Sequence, residues 1–195
     1  MKNIAYRWAS NNDNFKDVDV LGIFVDNHLN SRFLSTNSDQ RLFKSALAFS
    51  LTARGIPFFY YGSEQGFAGG DDPFNREVMY RDFDRTSDLF KFIQTLNKAR
   101  HAHGSYNSPF AEKWVDDQIY AFTRGKFFVG LTNNVYGQVH ADIPTTEFRD
   151  GDILCNIFFA TDCVTIKNGQ LSLYLNNGEV KVYVPKVSTF WADYP

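Results

Sequence analysis

The chain has 195 residues, with 20 Lys and Arg against 22 Asp and Glu and a formal net charge of -2. That balance gives no electrostatic reason to expect nucleic acid or an anionic membrane as a partner. A hydrophobic content of 44% with 17% aromatics supplies core for a folded chain and excludes disorder, and no apolar run is long enough to cross a bilayer.

From Met1 to about Asn11, the residues Ile4, Tyr6, Trp8 and Ala9 among Lys and Arg read as the tail of an amphipathic helix with no N-cap ahead of it. This stretch holds no apolar h-region, so no signal peptide is visible. Residues 11–19 are polar and turn-rich. Residues 21–25, Leu-Gly-Ile-Phe-Val, predict a short strand buried on both faces. The run breaks into Asp26, Asn27, His28, Asn30 and Arg32. A buried parallel strand ending in convergent polar groups is how an α/β barrel presents an active-site face, although a lone His closing a strand also has a purely structural reading.

Asn37 or Ser38 can cap a helix over 38–54, with Asp39 and Gln40 in its first turn. Leu42, Ala46, Phe49 and Ala53 recur at helical spacing, and Phe43, Leu47 and Leu51 widen the stripe. Arg54, Gly55 and Pro57 follow as last-turn cation, C′ glycine and terminator. Residues 58–61, Phe-Phe-Tyr-Tyr, predict a second buried strand and complete a βαβ unit. A glycine-rich loop, 62–77, comes next with five charged residues; its glycines do not form G-x-G-x-x-G, so no phosphate cradle is expected. Thr86 or Ser87 caps a helix over 87–103, with Leu89, Phe92, Ile93, Leu96 and Ala99 on one face and Gly104 as the stop. His101 and His103, two apart, point to different faces and do not suit a shared metal.

Past Gly104 the pattern changes to short apolar runs at 119–122, 127–131, 139–143, 153–159, 163–166, 171–175 and 180–184. Gly125, Asn168-Gly169 and Asn177-Gly178 are hairpin punctuation, and the expectation is an antiparallel β-sandwich or Greek key. Cys155 and Cys163 lack metal-site spacing. They read either as a disulfide closing a short loop, which would imply an oxidising compartment, or as two buried thiols.

Residues 24–33, Phe-Val-Asp-Asn-His-Leu-Asn-Ser-Arg-Phe, resemble the fourth signature region of the α-amylase family of glycoside hydrolases, Phe-Val-Glu-Asn-His-Asp-Asn-x-Arg-Phe. Residues 62–77 resemble that family's loop after the eighth barrel strand, Gly-x-Glu-Gln-x-x-x-Gly-Gly-x-Asp-Pro-x-Asn-Arg-Glu. The resemblance runs nearly the full length and implies a partial (β/α)8 barrel segment over 1–103, followed by an antiparallel C-terminal β domain over 104–195 that often carries a disulfide. The first helix would then be the end of the sixth barrel helix, and the helix over 87–103 the eighth.

By the same resemblance, His28, Asp72 and Arg76 are candidate sugar-binding residues, with a loop salt bridge as the alternative reading of the last two. Leu29 stands where the family carries its third catalytic carboxylate, and a leucine offers neither charge nor acceptor. The nucleophile and general acid of the family follow its fourth and fifth strands, which would precede Met1, as would most calcium ligands. No catalytic residue and no cofactor are therefore expected in this chain. What the resemblance implies is α-1,4-glucan hydrolysis by ancestry, with the chain inactive alone. The alternative is a pseudoenzyme that serves as a structural subunit or a weak glucan-binding module. Weak α-glucan contact is expected, as is another chain or an oligomer to cover the exposed strands. Ancestry and the cysteine pair point to a secretory or extracellular setting, and truncation at the front would reconcile this with the missing signal peptide.

Overall fold

The structure is a computed structural model and describes residues 1–80, 83–188 and 190–191. The front of the chain forms α1 (Lys2–Asn14), β1 (Gly22–Ile23), α2 (Phe33–Thr36), α3 (Gln40–Thr52), β2 (Ile56–Pro57) and α4 (Asp88–Ala102). Eight antiparallel strands follow: β3 (Phe110–Val115), β4 (Ile119–Arg124), β5 (Phe127–Thr132), β6 (Gln138–Pro144), β7 (Ile153–Asn156), β8 (Phe159–Thr165), β9 (Gln170–Asn176) and β10 (Lys181–Pro185). None of the described helices is long and apolar enough to cross a membrane.

The first strand pair departs from expectation. β1 and β2 are parallel, as a βαβ unit requires, but each is two residues long, with Gly22 opposite Ile56 and Ile23 opposite Pro57. The second strand lies just before the predicted run 58–61, because Pro57 takes part in the pairing and only Phe58 N–H continues it, to Ile23 O. Neither run is buried on both faces: Phe24, Phe59 and Tyr61 are exposed, and Phe58 is 60% exposed. A lone parallel pair has one hydrogen-bonded edge per strand and nothing to cover its outer face, so its aromatic side chains stay in water.

α3 starts one residue later than the proposed caps allow. Asp39 is its N-cap, accepting from Arg41 N–H at 2.9 Å, and Asn37 in turn accepts from Asp39 N–H at 3.0 Å. The helix ends at Thr52, so Arg54 lies outside it and chelates Asp19 with two 2.9 Å contacts. Its buried face is Phe43, Leu47, Ala48 and Leu51, whereas Leu42, Ala46 and Phe49 are half-buried beside β1. α4 matches its reading: Ser87 accepts from Phe90 N–H, all five predicted core residues are buried, and Gly104 adopts φ +53.

The β region has two layers. Six strands run in the order β3-β4-β5-β10-β7-β8, and β6 pairs with β9 as a separate ribbon. Helices cover one face of the six-stranded sheet and the ribbon covers the other, which is why every residue of β4 and β5 is buried. β6 and β9, covered on one side only, alternate buried and exposed residues. The predicted run 153–159 is split by a turn at Ile157 and Phe158, and β3 was not visible as an apolar run. Gly125 closes a tight β4–β5 hairpin, but Asn177-Gly178 joins β9 to β10 in a different sheet, so it is a turn between layers and not a hairpin. Cys155 and Cys163 are bonded to each other across the β7–β8 pair.

One apolar core runs through both halves of the chain. Trp8, Phe43, Leu47, Leu96 and Ala99 share it with Tyr120, Phe122, Val129 and Val184, while a second cluster between the sheet and the ribbon belongs to the β region alone. Arg124 fastens the seam, donating to Ala53 O, Ser105 O and Tyr106 O at 2.9–3.0 Å.

Candidate functional site

The two polar segments singled out from sequence, 26–33 and 62–77, come together as one body. Asp26 is buried and serves both: Oδ1 accepts from Phe33 N–H at 2.8 Å, and Oδ2 accepts from Ser63 Oγ at 2.6 Å. Asn27 Oδ1 accepts from the N–H groups of Leu29 and Asn30 at 2.8 and 2.9 Å, a side-chain-closed turn that lifts the intervening residues outward. His28 is exposed, and Leu29 is 66% exposed at the tip. Buried Asn75 reaches back from the second segment and donates to Asn30 O at 2.8 Å.

Arg32 is the centre of this arrangement. Its side chain is fully buried, and Nε donates to Glu77 Oε2 at 2.6 Å, while Glu77 Oε1 accepts from Gly69 N–H at 2.6 Å. Arg32 N–H also donates to Gly69 O at 3.0 Å. The guanidinium lies 4.5 Å from the Tyr60 ring centre, with Tyr61 and Phe67 at 5.4 Å, so aromatic faces replace the water it has lost. Its Nη1 is 3.9 Å from Asp26 Oδ2. Burial, with the neighbouring Tyr61, pushes the Tyr60 phenol above its ordinary pKa. Gly69 is obligatory here, because a Cβ would lie 2.0 Å from Phe74 O.

The residues predicted to touch sugar sit at the rim. Arg76 pairs with Asp72 at 3.0 Å, and its second contact is the backbone oxygen of His28 at 3.4 Å. The three are therefore neighbours, with Asp72 and Arg76 in the loop salt bridge that was their alternative reading. Ser31 Oγ donates to Asp71 and adds a second tie between the segments. The roles of Asp26, Arg32 and Glu77 were not assigned from sequence. The available signal was an Arg set directly before Phe33 and Leu34, since a cation among apolar residues is seldom buried without a carboxylate partner.

Among the buried carboxylates, Asp26 has both oxygens engaged, whereas Glu64 keeps an Oε2 with no hydrogen-bond partner. Asp26 and Glu77 each have both oxygens engaged by donors of the chain itself, which leaves Asp71, Asp72, Arg76 and His28 facing outward. Such a rim can exchange hydrogen bonds with ligand hydroxyls. Among the described residues, no group of three His, Cys, Asp or Glu side chains converges as a metal site.

The catalytic-domain profile of the alpha-amylase family matches residues 1–150, past the point where helices give way to strands. This chain belongs to the alpha-amylase family. It is 37% identical over 196 residues to a beta/alpha-amylase of Paenibacillus polymyxa, covering 94% of this chain and 16% of that one. Against an alpha-amylase of Saccharomycopsis fibuligera the identity is 34% over 178 residues, with 87% of this chain and 35% of the relative covered. Among solved structures, an alpha-amylase from Malbranchea cinnamomea superposes with a TM-score of 0.91 at 28% identity, over all of this chain and 43% of that one. The chain thus spans less than half the length of each of these relatives.

Proposed function

We propose that this chain supplies the C-terminal part of an α-glucan-acting fold. Residues 1–103 form the closing segment of a (β/α)8 barrel, and residues 104–195 form its Greek-key β domain. In this reading His28, Asp72 and Arg76 touch glucan weakly at the rim, and further protein is needed to cover β1, β2 and the exposed aromatic residues. The nucleophile, the general acid and the calcium site lie outside these residues, and the chain alone does not hydrolyse glucans. The observation that carries this is Leu29: it stands at the exposed tip of the Asn27 turn, where the family places a carboxylate, and the carboxylates of Asp26 and Glu77 are bonded within the fold.

Purified chain incubated with a maltooligosaccharide should release no reducing ends above background, and Leu29→Asp should not rescue it. Turnover that scales with protein and survives repurification would overturn the proposal. The exposed Leu29 also favours a second reading, a pseudoenzyme that works as a structural subunit of a larger assembly. Co-expression with a barrel lacking its last two strands separates the two: restored hydrolysis supports the first, and binding without hydrolysis the second.

A further inference from the structure

We propose that the groove bounded by α1, α3, β1 and the end of β5 binds a small neutral molecule with an alkyl chain and one polar end, held at that end by Ser45. The stripe Leu42, Ala46 and Phe49 of α3 has the spacing of a core face, yet all three residues are only half-buried. They floor a groove of about 410 Å³, within the range of small-ligand pockets, walled by Ile4, Ile23 and Leu131. An adjoining recess of about 350 Å³ shares Ile4, Ile23 and Phe49, so the apolar channel continues along α1.

The lining itself selects the ligand. Among the described residues, no Lys, Arg, His, Asp or Glu side chain lines the groove. Its other polar side chains spend their donors inside the fold: Ser50 Oγ on Leu47 O at 3.1 Å, Thr132 Oγ1 on Gln118 O at 2.8 Å and Asn133 Nδ2 on Asp117 O at 3.2 Å. Ser45 differs. It lines the groove, is 6% exposed, and its Oγ has no hydrogen-bond partner. A buried hydroxyl left unpaired is unfavourable, and a ligand atom that bonds it recovers that loss. In the adjoining recess the buried Trp8 Nε1 is likewise without an acceptor.

Three ligand classes are thereby separated. An alkyl chain covers Leu42, Phe49 and Ile23, and a terminal hydroxyl can both donate to and accept from Ser45 Oγ. A carboxylate placed at Ser45 would leave water with no cation in the groove to meet it, since Arg7, a lining cation of the adjoining recess, is exposed. A sugar would bury many hydroxyls against apolar walls for the sake of one partner.

The test titrates the full ¹⁵N-labelled chain with hexanol and, in parallel, with hexanoate at neutral pH and with maltotriose, read by NMR. Hexanol at ~20 mM should shift the amides of Leu42, Ala46, Phe49 and Leu131, hexanoate should bind at least about tenfold more weakly, and maltotriose should leave these amides in place. Ser45→Ala removes a hydroxyl that bonds nothing in the fold, so the chain stays folded, and it should weaken hexanol about fivefold. Ala46→Phe fills the groove and should abolish the shifts while the amides of β9 keep their positions. No groove shift with hexanol, equal affinity for hexanoate, saturation by maltotriose, or an unchanged affinity in Ser45→Ala would each overturn the proposal. Shifts at the same amides that follow protein concentration without ligand would give the groove to a second copy of the chain and overturn it as well.

Discussion

Residues 58–61, Phe-Phe-Tyr-Tyr, and residues 127–131, Phe-Phe-Val-Gly-Leu, are close in composition and opposite in fate. The second run is β5, with β4 on one edge, β10 on the other, helices over one face and the β6–β9 ribbon over the other. The first run follows a two-residue strand with a single neighbour, and most of its side chains remain exposed. An apolar run becomes a buried strand only when four sides are supplied, two edges for hydrogen bonds and two faces for packing. Burial in this molecule is decided by neighbours and not by local hydrophobicity.

Hydrogen exchange should show the largest contrast. The amides of Val129 and Leu131 are expected to exchange at least ~10³-fold more slowly than that of Phe58, because opening a two-residue pair needs no global unfolding. Equal protection would break the comparison. Truncation is the next test: Phe122→Ala, at a fully buried site, should cost about 3–5 kcal/mol, while Phe58→Ala should stay within about 0.5 kcal/mol in denaturant titrations.

Arg32→Met probes a fully buried cation in the front half. It leaves Glu77 and Asp26 without their cation and should cost about 3 kcal/mol, at the lower end for a broken buried pair because Glu77 is partly solvated. Replacing both Cys155 and Cys163 by Ala removes a cross-link of sequence separation 8 and should cost about 2 kcal/mol in denaturant titrations.

The smallest effect is a pH dependence. The hydrogen bonds from Arg41 hold the Asp39 carboxyl at about 2, against an ordinary 3.8. The folded value is the lower one, so this stabilisation is fully present above pH 4 and fades as pH falls toward 2. Asn is also a good N-cap, so Asp39→Asn should lose only a few tenths of a kcal/mol at neutral pH, screened by solvent, and match the parent near pH 2. A constant difference across that range would assign the effect to capping geometry.

Much of the fold was legible because its signals were local. The period of Leu89, Phe92, Ile93, Leu96 and Ala99 gave α4, and Gly125 gave the β4–β5 turn. What sequence could not supply was who stands next to whom. Leu42 and Leu47 are equally apolar, and only the packing of α4 and the sheet against α3 makes Leu47 the buried one. Asn177-Gly178 has the backbone signs of a hairpin, with φ +50 and +81, yet the strands it joins pair elsewhere. At the site, His28, Asp72 and Arg76 could be named in advance as candidates, but Arg32 reaches Gly69 and Glu77, and Asp26 reaches Ser63, through contacts 37 to 45 residues apart in the chain.

Arg124 adds a property of the joint between helices and sheet. Its three hydrogen bonds all end on backbone oxygens, one at the C-terminal end of α3 and two just past α4, so its direct contacts are with peptide dipoles. Protonating the acids of the chain removes none of these three acceptors, and a buried contact is little screened by salt. Acid that loosens the exposed ion pairs would leave this joint closed, so helices and sheet should come apart together, in one transition, across conditions that dismantle the rest of the surface.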